Sequence, residues 1–133
     1  ALCGTFGYEM DRGRCSREGK ETVRGQVETY KRRAALIANG DYYRLTDPFQ
    51  DPPFTAWAIV SSDKREALVS LVTGSARAAQ PFPVLRLRGL DPALRYRVDG
   101  GEVHSGAALM YAGLSFPLVR GDYQAKQLHL EAV

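Results

Sequence analysis

Two histidines, two cysteines and one tryptophan are all that 133 residues contain, and each scarcity narrows the chemistry open to the chain. Nucleophilic catalysis by Ser, Cys or Thr needs a base within reach, and His104 and His129 are the sole imidazoles. His129 falls on the polar face of the last expected strand and His104 beside a Gly-rich loop, so both read as solvated side chains. Cys3 and Cys15 stand twelve positions apart, with no CxxC pair and no nearby histidine to complete a zinc set. A disulfide between them would need an oxidising compartment and would be a poor staple so near one end, so both read as reduced thiols. No GxSxG, P-loop, GxGxxG or HExxH string is present. No apolar run approaches eighteen residues, which excludes a helical membrane span. Ala1 to Tyr8 lacks a basic stretch followed by an apolar one, so no secretory leader is read there, although an exported parent could have lost one.

Charge of one sign is also in short supply. Eighteen Lys and Arg against fifteen Asp and Glu leave +3, too little to argue for a nucleic-acid partner. At 133 residues the chain is too short for a whole (β/α)₈ barrel, which needs about 250. A 44% hydrophobic and 10% aromatic composition is still enough to bury a core, so the chain as a whole is not disordered. One domain is the expected count, with a fragment of a second attached: the chain opens at Ala1, inside an apolar stretch punctuated by Gly4 and Gly7, and reads as part of something longer.

Thr5 to Met10 reads as a short extended piece ending in a loop at Asp11, Arg12 and Gly13. Ser16 then stands where a helix N-cap belongs, with Glu18 in the first turn to meet the dipole. Val23, Val27, Tyr30, Ala34 and Ile37 step by four and three, one face of a helix of about 22 residues that Asn39-Gly40 should end. Glu28 and Arg32 are spaced for an i,i+4 pair on the opposite face.

From Asp41 the period falls to two. Tyr42 to Thr46, Thr55 to Ser61, Ala67 to Thr73, Val84 to Arg88, Leu94 to Val98, Ala107 to Tyr111 and Gln124 to Ala132 are the expected strands. Turn signals separate them: Asp47-Pro48, Asp51-Pro52-Pro53, Ser62-Asp63-Lys64, Pro81-Phe82-Pro83, Asp91-Pro92, Asp99-Gly100-Gly101 and Arg120-Gly121-Asp122. Short strands at this spacing predict an antiparallel sandwich or barrel with one dry and one wet face. The fold class is therefore mainly β, preceded by one long helix.

Carboxylates remain as candidates for acid/base work, which in glycoside hydrolysis uses a pair about 5 to 9 Å apart. Asp47, Asp51 and Asp91 each precede proline, and Asp99 and Asp122 flank glycine, so these read as turn caps. Glu9 and Asp11 would share a side if their piece were a strand, and read otherwise as loop residues. Tyr42, Tyr43, Phe49, Phe54 and Trp57 could form a platform for a pyranose. Yet Trp57 sits among Ala56, Ala58, Ile59 and Val60, which is also how a sandwich core looks, and core is the preferred reading. Arg77, Arg86, Arg88, Arg95 and Arg97 lack interleaved aromatics and read as a solvated face.

Specific strings then add to the pattern. Gly4-Thr-Phe-Gly-Tyr-Glu-Met-Asp11, the helix with Gln26-Val-Glu-Thr-Tyr-Lys31 and Leu36-Ile37, and Gly40-Asp-Tyr-Tyr-Arg-Leu45 resemble the last stretch of bacterial α-galactosidases of glycoside hydrolase family 36. The similarity runs on through Thr55-Ala-Trp57, Leu87-Arg-Gly-Leu-Asp-Pro92, Tyr96 and Val98, Ser105-Gly106, Leu109-Met110, Gly113-Leu114 and Leu128-His-Leu-Glu-Ala-Val133. It implies that residues 1–40 are the end of a catalytic barrel, its last strand region and last helix, and that residues 41–133 are a C-terminal antiparallel Greek-key-type β-sandwich. It implies a parent that hydrolyses terminal α-galactosides such as raffinose or melibiose with retention, through two barrel aspartates that match no position here.

On that reading the chain carries no catalytic, cofactor-binding or metal residue and needs no cofactor. Its role is structural, its partner the barrel of the same parent, and copies would pair through helix 16–39 or the sandwich; nucleic acid and membrane are not partners. The expected compartment is the bacterial cytoplasm. Five stripe side chains buried against the barrel at about 1.5 to 3 kcal/mol each would stabilise the parent substantially. The rival reading is a galactoside-binding module on the surface of Tyr42, Phe49 and Trp57, and a third is an enzyme using Glu9 and Asp11.

Overall fold

The computed structural model describes residues 4, 6–9, 13, 16–47, 49, 54–74, 84–115 and 122–133. It divides into two compact units, Ala1–Asn39 and Gly40–Val133. Cys3, Cys15, Asp11, Asp51 and Arg77 lie outside the described residues.

In the first unit a single helix, α1, runs from Arg17 to Asn39. The expected cap is in place: the Ser16 hydroxyl oxygen accepts the Gly19 amide at 3.1 Å, satisfying one of the donors a helix start leaves open. At the other end Asn39 donates its side-chain amide to the Ala35 carbonyl at 3.0 Å, and the helix stops where the Asn-Gly pair predicted. Val23, Val27, Tyr30, Ala34 and Ile37 are half-buried along the stripe, while neighbouring Leu36 is the buried residue of α1. Phe6, in an irregular segment, stacks on Tyr30 with ring centres 5.2 Å apart and meets Tyr8 edge-on at 5.1 Å. The Tyr8 hydroxyl donates to Gln26. Arg17 and Glu21 form an exposed i,i+4 pair, and Arg32, expected to meet Glu28, donates to Thr29.

The second unit is built on antiparallel pairs. Strands β1 (Asp41–Arg44), β2 (Phe54–Val60), β3 (Glu66–Thr73), β5 (Arg95–Val98), β6 (Val103–Ser105) and β8 (Ala125–Ala132) form one sheet in the order β1-β2-β3-β8-β5-β6. Strands β4 (Val84–Leu85) and β7 (Leu114–Ser115) form a second, two-stranded sheet, with helix α2 (Gly106–Tyr111) between β6 and β7 in the chain. Register decides which side chains meet. Ala58 opposes Val69 and Val69 opposes Leu128, while Tyr96 opposes Ala132. One face of the large sheet thus gathers Ala56, Ala58, Val60, Val69, Leu128 and Leu130, and it packs with Leu85, Leu87, Leu90 and Leu109 into one buried cluster.

Three expectations fail for physical reasons. Ala107 to Tyr111 is a helix and not a strand: the Ser105 hydroxyl oxygen accepts the Ala108 amide at 3.1 Å, capping a run of Ala, Leu and Met with good helix propensity. Removing that cap by Ser105→Ala is expected to cost about 1 kcal/mol, readable as a lowered denaturant midpoint with an unchanged slope. Val84 to Arg88 keeps its alternation, with Leu85 and Leu87 buried and Arg86 and Arg88 exposed, but pairs as a ladder only over Val84–Leu85; Leu87 donates its amide to the Leu109 carbonyl. Strands β6 and β7, three and two residues long, carry too little pattern to be expected from sequence.

The third failure concerns the wet face. Ile59, Leu68 and Ser70 are buried at 4, 1 and 3% exposure on the side of the sheet opposite the main cluster. β3 is therefore dry on both sides, in keeping with its near-continuous apolar run from Ala67 to Val72. Trp57 shares that second side, half-buried between Arg44 and Ser70 in register, and does not belong to the main core. The same alternation that keeps Ala56 and Ala58 in the core turns the tryptophan away from it.

Candidate functional site

The turn between β2 and β3 is held by short polar side chains. Ser61 donates to Asp63 at 2.6 Å, the Arg65 amide donates to the same carboxylate oxygen at 3.0 Å, and the Glu66 amide donates back to the Ser61 hydroxyl at 2.9 Å. Lys64 takes a left-handed conformation, φ 61°, to close the turn. The Ser61 hydroxyl, joined by the Arg65 amide, holds the Asp63 carboxyl below its ordinary 3.8. A lowered folded value means that this contribution is present above the unfolded pKa and is lost as the pH falls through the folded one. Asp63→Asn is therefore expected to lower the Tm at neutral pH, to converge with native protein at acid pH, and so to flatten the acid limb of a Tm-against-pH curve; an unaltered limb would count against the assignment.

Beside this turn β8 supplies His129 and Glu131. Together with Ser61, Asp63, Arg65 and Glu66 they line a hollow of about 410 Å³. Glu66 and Glu131 stand directly opposite each other across β3 and β8, an unfavourable like-charge placement on its own. His129 Nε2 lies 2.7 Å from Glu66 Oε1, and Arg97 opposes Glu131 in register on β5. The backbone amide of His129 donates to Asp99 at 2.8 Å. The two histidines expected to be solvated are thus half-buried and glutamate-paired, His104 lying 3.3 Å from Glu102. Ser61 is committed to the turn, so the hollow offers no activated hydroxyl. Among the described residues no group of three or more His, Cys, Asp or Glu side chains is placed to hold a metal ion.

Of the aspartates assigned to turns, Asp47 and Asp91 do that work, whereas the Asp99 carboxylate accepts the amide of His129, thirty positions on. Asp47 accepts the Phe49 amide at 3.0 Å and Asp91 the Ala93 amide at 2.8 Å. Of the Glu9 and Asp11 pair, Glu9 is exposed. The aromatic set is scattered: Tyr43 and Phe54 pack against the core, Phe49 is 94% exposed, and Tyr42 is exposed on the same sheet side as Trp57. Arg86, Arg88, Arg95 and Arg97 are exposed as expected.

Several of the strings that carry the resemblance instead converge on one structural junction. The Tyr96 ring is fully buried; its hydroxyl donates to the Lys64 carbonyl at 2.6 Å and accepts the Asp91 amide at 3.0 Å. Gly106, the first residue of α2, lies against the Asp91 carbonyl and donates its amide to Leu94 at 2.8 Å. Gly89, at φ 81°, lets the Tyr43 ring lie on its backbone, and Lys64 reaches over that ring to Asp41 at 3.2 Å. The Asp41 contact leads the causes that raise the Lys64 pKa above 10.5.

Residues 54–130, more than half of the chain, match the model of the glycosyl hydrolase family 36 C-terminal domain. The chain belongs to that family. This family 36 C-terminal domain is 44% identical over 128 residues to the bifunctional alpha-galactosidase/sucrose kinase AgaSK of Mediterraneibacter gnavus, covering 96% of the chain and 14% of that protein. It is 38% identical over its full length to the alpha-galactosidase AgaA of Geobacillus stearothermophilus, of which it covers 18%. Its whole length also superposes on 18% of the GH36 alpha-galactosidase AgaB crystal structure from the same organism, with a TM-score of 0.93 and 40% identity. The domain therefore spans less than a fifth of the relatives it matches, and those relatives are larger alpha-galactosidase chains.

Proposed function

We propose that this family 36 C-terminal domain is the structural, non-catalytic end of an α-galactosidase, a retaining hydrolase of terminal α-galactosides such as raffinose or melibiose. One observation carries the reading: the entire chain superposes on 18% of an α-galactosidase at a TM-score of 0.93. A crystal structure of an AgaA variant in complex with raffinose, matched over the same share at 38% identity, supports the substrate class. Retention needs one carboxylate to attack and a second to shuttle the proton. Here Asp63 is spent on a turn and Glu66 on His129. The two catalytic carboxylates are assigned to the rest of the parent, as the family resemblance implies.

Residues 1–40 are assigned to the end of the parent's barrel and residues 41–133 to a Greek-key-type sandwich, a division supported by the separate units meeting at Asn39 and Gly40. The stripe Val23, Val27, Tyr30, Ala34 and Ile37 faces the barrel in that arrangement, and helix 16–39 or the sandwich joins copies of the parent. The bacterial cytoplasm is the proposed compartment. Purified alone, the chain is expected to give no turnover of a nitrophenyl α-galactoside and, by light scattering, a mass above the monomer, because the uncovered stripe self-associates. Turnover that survives purification and disappears in Glu9→Ala or Glu66→Ala overturns the proposal.

A second reading, a galactoside-binding surface, is favoured by one feature: exposed Tyr42 beside half-buried Trp57 on one side of the sheet. Since Trp57 is the single tryptophan, its fluorescence under a raffinose titration is a clean reporter. A saturable change selects the binding module, and a flat response selects the structural domain.

A further inference from the structure

We draw no further inference here: the strongest candidate, the polar hollow beside the β2–β3 turn where Asp63, Glu66 and Glu131 gather with His129, is a cluster of acidic side chains in which Asp63 serves the turn and Glu66 meets the imidazole, and nothing in the structure points to a ligand for it.

Discussion

Gly106→Ala is expected to destabilise the C-terminal domain by about 3–5 kcal/mol and to lower its Tm by more than about 10 °C. A methyl group built on Gly106 would sit 2.0 Å from the Asp91 carbonyl oxygen, 2.9 Å from its carbon and 3.0 Å from the Tyr96 ring. Backbone cannot swing aside as a side-chain tip can, so the Asp91–Leu94 turn or the start of α2 must move. That movement would break the Gly106 to Leu94 hydrogen bond and disturb the Asp91 amide held by Tyr96. Helix propensity alone predicts the opposite sign, a gain of about 1 kcal/mol for Ala over Gly inside a helix. The sign of the change therefore separates the two accounts. Gly100→Ala is the control: its φ of 73° strains any L residue, but its Cβ meets nothing within 4 Å, so the cost is limited to about 1–2 kcal/mol. Equal losses at the two glycines, or a stabilised Gly106→Ala, would sink the packing argument.

The junction around Gly106 also marks the limit of what the sequence disclosed. Elements with their own signals were legible: α1 from Ser16 and the four-three stepping, β5 from Leu94, Tyr96 and Val98, and the turns at Asp47 and Asp91 from the Asx preference for the second amide on. Ala107 to Tyr111 was misread because five apolar and small residues fit either period, and the deciding signal was the Ser105 cap just before them. Trp57 was misassigned because alternation says which residues share a face and not which face is inside, and here Ala56 and Ala58 take the inner one. The pairing of His129 with Glu66 spans 63 positions and depends on the β3–β8 register, so neither residue's neighbours announce it. The strings that resembled family 36 were the most informative part of the chain. What they encode, at Gly89, Asp91, Tyr96 and Gly106, is the packing of this domain.

Tyr96 makes the second large prediction, because its ring and its hydroxyl can be removed separately. The ring is fully buried at the meeting of β5 and α2, and truncation by Tyr96→Ala is expected to cost about 3–5 kcal/mol through the cavity it leaves. Tyr96→Phe keeps the ring and strips two part-buried backbone groups, the Lys64 carbonyl and the Asp91 amide, of their shared partner. That leaves two polar groups to find other partners, for about 1–3 kcal/mol. The two variants should thus rank Ala below Phe below native in a denaturant titration. A pH series adds an independent readout. Desolvation by burial is the largest cause raising the Tyr96 pKa above its ordinary 10.0, since a phenolate would lose its hydration there and could no longer donate to Lys64. With the folded value raised, the hydroxyl's contribution is complete below the unfolded pKa and is lost as the pH rises through the folded one. Native protein should therefore lose stability on the alkaline side with a component that Tyr96→Phe lacks. Parallel alkaline limbs for the two proteins would show that the hydroxyl is not the link between the β2–β3 turn and the Asp91 turn.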